Sequence, residues 1–409
     1  MTRFEIERLG HQGDGIAQGP VFAPLTLPGE IVTGTLDGVR LTDIRIETPS
    51  GDRVKPPCRH FKACGGCQLQ HASDAFLSEW KTDVVRNALL AHGLDVDFAP
   101  IATSPAKARR RATFTARRTK KAAMAGFHAK GSDVIVEIPD CQLLHPALMQ
   151  GVPVAEALAV DCASRKGALS VAVCLTGGGL DVHVTGGKPL DGPLRILLAQ
   201  IAEAHDLARI SWDDETIATR HRPEQVFGTA HVVPPPGAFL QATAEGEAAL
   251  LSDVMDITRG AGRIVDLFAG CGTFSFPLAS TAQVHAVEGD RAMTDALDAG
   301  WRAATGLKQV TTEARDLFRR PLLPDELSRF DAAVLDPPRA GAEAQVAELV
   351  KSGIATIAYV SCNPVTFARD AAVLAMSGYR IERLRVVDQF RWSAHIEIVA
   401  SFRLESAGA

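Results

Sequence analysis

The stretch TIAYVSCNPVTFARD, residues 356–370, changes character at one cysteine. Thr356 to Val360 are apolar or β-branched and read as a short buried strand. Pro364 to about Met376 reads as a helix with proline in its first turn. Cys362 is therefore expected at a strand-to-helix turn, where open α/β sheets put their chemistry.

Working outward, the same alternation runs from about residue 239 to the end. RIVDLFA (263–269), QVHAVEG (283–289) and AAVLDPP (332–338) are strands separated by helical stretches. RIERLRVV and HIEIVASF add an antiparallel pair. The expectation is α/β: a doubly wound, Rossmann-like domain over 238–409. VVPPPG (232–237) marks its boundary. Residues 1–54 are short apolar pieces (FEIERL, GIA, VFAP, GEIVTGTL) broken by Gly, Pro and Asp, a small β-barrel. Residues 55–237 form a central α+β domain, within which 73–92 is a helix able to pack on the catalytic domain. Phe76, Leu77, Trp80, Val84, Val85 and Leu89 make its apolar stripe.

The chain's 409 residues allow two or three domains. It is 46% hydrophobic and 22% charged, with no run approaching a membrane span and no apolar signal core in MTRFEIERLG. A cytoplasmic monomer without a membrane partner is expected. Net charge is −5, so nucleic-acid binding requires a local basic surface.

VDLFAGCGTFSFPLA (265–279) runs strand, Gly270-Cys271-Gly272, helix. Ser275 stands where a dinucleotide fingerprint has its third glycine, so the turn is not built for a pyrophosphate. Glu288 ends the next strand and can accept hydrogen bonds from both hydroxyls of a ribose. Together these resemble the S-adenosylmethionine site of class I methyltransferases. Asp316, in ARDLF, follows the third strand, positioned for an adenine edge.

In LDPPRAG, Asp336 ends the fourth strand, beside the cofactor. Amino-methylating enzymes often follow Asp/Asn-Pro-Pro with an aromatic residue; Arg339 here disfavours that chemistry. Methylating carbon 5 of a pyrimidine instead needs a thiolate to add to carbon 6 and a base to remove the carbon-5 proton. Cys362 fits the nucleophile. In SAHIEIV (393–399), Glu397 is the chosen base and His395 the competitor, two apart and so on one face of a strand. RNA cytosine-5 enzymes carry a second cysteine in the Asp-Pro-Pro region; Pro337 and Pro338 point to uracil.

Cys58, Cys64, Cys67 and Cys141 supply four thiolates at a spacing unlike common zinc patterns. Neighbouring glycines leave N–H groups free for inorganic sulfide. Structural zinc remains the alternative. SPAKARRRATFTARRTKK (104–121) carries eight basic residues and no acidic one, and alternation around ATFTA suggests a strand with arginines on an exposed face for phosphates.

FLQ (239–241), DLFAGCGTF, LDPPRAG, YVSCNP and HIE together resemble the RNA uracil-5-methyltransferase family. The resemblance implies Cys362 as nucleophile and Glu397 as base. It implies a pocket of Gln241, Phe268, Gly270, Thr273, Glu288, Asp316 and Asp336 for S-adenosyl-L-methionine. It implies a [4Fe-4S] cluster on the four cysteines, as ribosomal members carry. IERLGHQGDGIA and LPGEIVTGTL resemble the TRAM domain, an RNA-binding barrel. The joint presence of barrel and cluster tilts the expected partner to 23S ribosomal RNA rather than DNA. The same chemistry on transfer RNA, or an inactive Fe–S RNA-binding protein, are the alternatives. The family usually reads Asp-Met-Phe-Pro before the base; this chain has DQFRWSAHIE (388–397).

Overall fold

The computed structural model describes residues 2–164 and 167–405, so 406–409 of the C-terminal stretch lie outside the described residues. Five strands close a barrel in the order β1-β2-β3-β5-β4: β1 (Thr2–Leu9), β2 (Gly15–Ala17), β3 (Val21–Ala23), β4 (Ile31–Asp37) and β5 (Arg40–Thr48). The apolar pattern points to the first four. β5 is nearly all polar and mostly exposed, with Leu41 alone fully buried, so it carries no hydrophobic signature. Inside the barrel Ile6, Ala17, Val21, Ala23, Val32 and Leu41 pack together.

The chain then forms α1 (Asp74–Leu90), capped by Ser73, whose hydroxyl accepts from the Phe76 N–H, followed by β6 (Ala99–Thr103). A seven-stranded sheet follows, in the order β13-β12-β11-β10-β7-β8-β9. Its strands are β7 (Arg111–Arg118), β8 (Ala123–His128), β9 (Ile135–Val136), β10 (Leu169–Thr176), β11 (Gly179–Thr185), β12 (Arg209–Trp212) and β13 (Glu215–Thr219). Helices α2 (Gly151–Cys162) and α3 (Gly192–Ala204) share a core with it. β14 (Gln225–Phe227) and β15 (Ala230–Val232) make a hairpin.

The last region alternates as α4 (Ala244–Ile257), β16 (Arg263–Leu267), α5 (Ser275–Leu278), β17 (Gln283–Glu288), α6 (Arg291–Ala303), β18 (Val310–Ala314), α7 (Pro324–Leu327), β19 (Ala332–Leu335), α8 (Glu343–Ser352), β20 (Thr356–Ser361), α9 (Pro364–Met376), β21 (Tyr379–Asp388) and β22 (Glu397–Leu404). The sheet order is β18-β17-β16-β19-β20-β22-β21-β6. β16 to β20 are parallel, and β22 enters antiparallel between β20 and β21. Successive residues face opposite layers: Val265 and Leu267 enter one core, Ile264 the other. β20, buried at all six positions, is a central strand covered on both sides.

Two segments assigned by sequence to the central domain pack elsewhere. β6 pairs with β21 as the edge of the eight-stranded sheet, and Val85 and Leu89 of α1 enter the same core. Phe227, Ala230 and Val232 of the hairpin pack with Phe276 in the other core layer. The chain thus crosses between central and catalytic sheets twice, which a linear boundary at residue 237 does not capture.

Lys81 lies on the apolar face of α1 and is fully buried. Its Nζ donates to Asp388 Oδ1 at 2.6 Å, the His395 carbonyl at 3.1 Å and the Phe390 carbonyl at 3.2 Å. All three ammonium donors are thereby used on the segment that joins β21 to β22. Replacing Lys81 by Ala leaves Asp388 buried and unpaired, which is expected to destabilise the fold by about 3–5 kcal/mol. The check is a lowered thermal or denaturant midpoint, and an unchanged midpoint would contradict this role.

Candidate active site

The end of β20 and the start of α9 are separated only by Cys362 and Asn363. Asn363 fixes this turn with both ends of its side chain. Its Oδ1 accepts from the Val365 N–H at 3.1 Å, capping α9, and its Nδ2 donates to the Arg339 carbonyl at 2.9 Å. Thr366 Oγ1 donates to the same carbonyl at 3.2 Å. The Asn-Pro turn and the Asp-Pro-Pro loop are therefore clamped together, and Cys362 and Asp336 lie close enough for the carboxylate's charge to act on the thiol. Burial pushes the Cys362 thiol up to about 11, with the Glu397 and Asp336 carboxylates adding to the effect and Arg339 opposing it.

Glu397 opens β22 and is almost fully buried. Burial raises its carboxyl to about 7, against a hydrogen bond from Gln389 and the charges of Arg111 and Arg339. Burial also holds Asp336 well above the usual carboxylate range, followed by its acidic neighbours Glu397, Asp266 and Glu288. The carboxylates are linked through amides. Gln389 Nε2 donates to Glu397 Oε2 at 2.9 Å and to Gln241 Oε1 at 2.6 Å. Gln241 Nε2 in turn approaches Asp336 Oδ2 at 3.4 Å. Sequence reasoning missed Gln389; its one trace is the position in DQFRWSAHIE where the resemblance leads one to expect methionine.

His395 and Glu397 do not share a strand face. β22 begins at Glu397, and His395 lies exposed in the preceding loop. The Arg339 guanidinium donates to its Nδ1 at 2.6 Å. Burial of the ring, then the nearby Arg339, Lys81 and Arg109 charges, push its pKa down. The loop takes its shape from Trp392, which is buried at φ 60° against Leu9, Leu69, Trp80 and Leu143. The Trp392 carbonyl accepts from the N–H groups of Gln68 and Leu69 at 2.8 and 3.0 Å. Arg391 Nη2 pairs with Asp74 Oδ2 at 2.6 Å.

The glycine turn lies beyond β16. Phe268 (φ 63°), Gly270 (φ 56°) and Gly272 (φ 98°) all adopt left-handed backbone. A Cβ on Gly272 would collide with the Phe276 ring, so glycine is required there by packing. A Cβ on Gly270 would meet nothing within 4 Å, so the turn opens onto free space above the strand ends. Glu288 Oε2 accepts from the Gly270 N–H at 2.9 Å and Oε1 from the Asp290 N–H at 2.9 Å. Each oxygen keeps a lone pair for a hydroxyl. Asp316 Oδ1 accepts from the N–H groups of Phe318 and Arg319, and Phe318 packs against Phe268 with ring centroids 5.5 Å apart. Thr273 is half-buried in the turn. Ser275 donates to Asp266 Oδ2 at 2.5 Å, and Asp266 Oδ1 is buried without a partner. Open space at Gly270, a half-free Glu288 and an orphaned acid fit a polar, adenosine-like cofactor.

The basic segment divides into two parts, correcting the expectation of one exposed arginine face. Arg109, Arg110 and Arg111 are half-buried. Arg110 pairs with Glu247 and donates to the Gln241 carbonyl at 3.0 Å. The Arg111 guanidinium lies 4.1 Å from the Phe239 ring centroid and faces Glu397, with its buried Nε unpartnered. Arg117, Arg118, Lys120 and Lys121, where β7 turns into β8, are exposed, as is Lys107 at the start of the segment. The segment lies where the central sheet meets the catalytic sheet, so its first arginines are consumed by carboxylates and carbonyls that only the tertiary fold brings near.

Cys58, Cys64, Cys67 and Cys141 line one small cavity with Phe61, Phe127, Ile138 and Leu143. The Gly66 N–H reaches Cys64 Sγ at 3.3 Å. Burial raises the thiols of Cys64 and Cys141, and pushes that of Cys67 up to about 12. Among the described residues, no group of three or more His, Cys, Asp or Glu side chains is arranged to hold a metal ion. No described helix is long and apolar enough to cross a membrane.

The family described as tRNA (Uracil-5-)-methyltransferase matches residues 229–402, which contain every strand of the catalytic sheet but β6 and part of β22. An uncharacterized RNA methyltransferase of Rhizobium meliloti (strain 1021) is 45% identical over 405 residues, covering 97% of this chain and 98% of its own. A 23S rRNA (uracil(1939)-C(5))-methyltransferase of Chromohalobacter salexigens is 32% identical over 420 residues, covering 96% of this chain and 87% of its own. The solved structure of the Pyrococcus abyssi tRNA (uracil-54, C5)-methyltransferase in complex with S-adenosyl-L-homocysteine shares the fold. Its TM-score is 0.76 at 21% identity, covering 98% of this chain and 99% of that one. On its sequence relatives, this chain belongs to the RNA uracil-5-methyltransferase family and is an RNA (uracil-5-)-methyltransferase.

Proposed function

We propose that this enzyme methylates carbon 5 of a uridine in 23S ribosomal RNA, with Cys362 as nucleophile and Glu397 as base. The observation that carries the chemistry is a thiol at the end of β20 with two carboxylates close enough to act on it, the two acids being joined through the Gln389 and Gln241 amides. The ribosomal target is supported by the 23S rRNA enzyme that is 32% identical over nearly the whole chain. Transfer RNA, the substrate printed for the family description and for the fold neighbour, is the second reading.

S-adenosylmethionine, when bound, supplies the methyl group and a positive charge beside the buried acids. Gly270 leaves room for it, Glu288 and Asp316 offer acceptors to its ribose and adenine, and Phe268, Thr273, Gln241 and Asp336 complete the pocket. Cys362 adds through Sγ to carbon 6 of the flipped-out uracil, which makes carbon 5 nucleophilic. After methylation Glu397 takes the carbon-5 proton, the ring double bond reforms, and the thiolate leaves. Glu397 is favoured over His395 because the latter's Nδ1 is already engaged by Arg339. Its carboxyl, raised to about 7, gains the basic form as pH rises through neutrality, so elimination should speed up over that range.

We further propose a [4Fe-4S] cluster on Cys58, Cys64, Cys67 and Cys141. The support is four thiols around one cavity with an N–H donor beside them. Gln68 and Leu69, next to Cys67, hydrogen-bond the loop before Glu397, so the cluster would brace the base rather than transfer electrons. Exposed Arg117, Arg118, Lys120 and Lys121 would meet RNA phosphates.

Cys362→Ala is expected to lower turnover by on the order of 10³-fold or more while RNA binding persists. Glu397→Gln is expected to accumulate a protein–RNA adduct that survives denaturation. If His395→Ala traps the adduct and Glu397→Gln does not, the base is misassigned. In a strain lacking the enzyme, 5-methyluridine should vanish from one site in 23S rRNA; loss from transfer RNA alone would favour the second reading. Anaerobically purified protein should be brown with about four irons per chain. One zinc and no iron would overturn the cluster.

A further inference from the structure

We propose that Gln389 is the positioning residue that aims Glu397 as the base and fixes the direction of the Gln241 amide. The inference rests on the reading of Glu397 as the base. Gln389 follows the last residue of β21 and is 1% exposed. Its Oε1 accepts from the Ala242 N–H at 2.7 Å. A backbone N–H can only donate, so the amide cannot flip without facing a donor with its own donors. Its Nε2 must then point inward, with one proton to Glu397 Oε2 and the other to Gln241 Oε1. Gln241 is turned in consequence: its oxygen meets Gln389, and its nitrogen is left for Asp336. One peptide N–H thus sets the polarity of a chain running through both amides to both carboxylates.

The surroundings are shaped to this side chain. Gly246 opens the space it needs, since a Cβ there would lie 2.5 Å from the Gln389 Cβ. Arg110 holds the Gln241 carbonyl from the other side. Among the described residues, Gln389 is the one side chain hydrogen-bonded to the Glu397 carboxylate. The charged and titratable groups facing that carboxylate are Arg111 from β7, Arg339 from the loop after β19, Asp336 from the same loop and Cys362 from the turn after β20. The arginines favour ionised Glu397; ionised Asp336 and a Cys362 thiolate oppose it. A donated N–H favours the ionised form, so losing it moves the carboxyl pKa up and turns the carboxylate loose.

The step at stake is elimination. Glu397 takes the carbon-5 proton, the C5–H electron pair becomes the C5–C6 double bond, and the C6–Sγ bond breaks to return the thiolate to Cys362. With RNA tritiated at carbon 5, tritium release times this step, while the denaturation-resistant adduct counts molecules waiting for it. For Gln389→Met, similar in size but without donors, adduct decay at pH 7 is expected to slow by roughly tenfold or more. Its pH–rate limb should move up by about one unit, with KM for RNA within about twofold. Decay rates come only from molecules that formed the adduct, so a partly unfolded preparation still reports; Gln389→Asn, whose amide is too short to span both partners, should change in the same direction. Wild-type decay and an unmoved pH limb in either variant, while Glu397→Gln traps the adduct, would overturn the role of Gln389 alone. Failure of Glu397→Gln to trap would instead remove the base assignment beneath it.

Discussion

A buried ammonium group organises the catalytic edge of this enzyme. Lys81 enters the apolar face of α1 and spends its donors on Asp388 and two carbonyls of the segment before β22. An unpaired charge there would cost several kcal/mol, so the segment has little freedom to move away. Gln389 and Glu397 lie at the two ends of that segment. The position of Glu397, the proposed base, therefore depends on a helix more than three hundred residues earlier in the chain.

The same segment ties the domains together. Trp392 sits where the barrel, the cysteine loop and α1 meet, and its carbonyl is gripped by the backbone just after Cys67. The cysteine loop is thus tied to the segment before Glu397 by two hydrogen bonds and one packed indole. A structural role for a cluster at these cysteines needs no redox chemistry.

Within the pocket, desolvation is the dominant electrostatic effect. Glu397, Asp336 and Cys362 are each raised first by burial, and the acidic neighbours raise Asp336 and Cys362 further. Arg111 and Arg339 are the cations that face them, and Arg111 keeps a buried Nε unpartnered.

Much of the molecule was legible in residue order because its signals are local. Continuous apolar runs mark the central strands of the catalytic sheet, Pro364 and Asn363 mark the start of α9, and glycines mark the turn after β16. β5 escapes because one fully buried residue leaves no pattern, and β6 and the β14–β15 hairpin are grouped by sequence neighbourhood rather than by what they bury, whereas α1 packs on the catalytic core as its apolar stripe allows. Residue chemistry alone determined the reaction class: a thiol at a strand end, an acid near the C-terminus and a glycine turn for the cofactor. Only tertiary structure decided that the first arginines of the basic run turn inward, that His395 leaves the strand, and that Gln389 donates to both Glu397 and Gln241. Those outcomes depend on hydrogen bonds and burial between residues far apart in sequence, and such pairings leave no periodic trace along the chain.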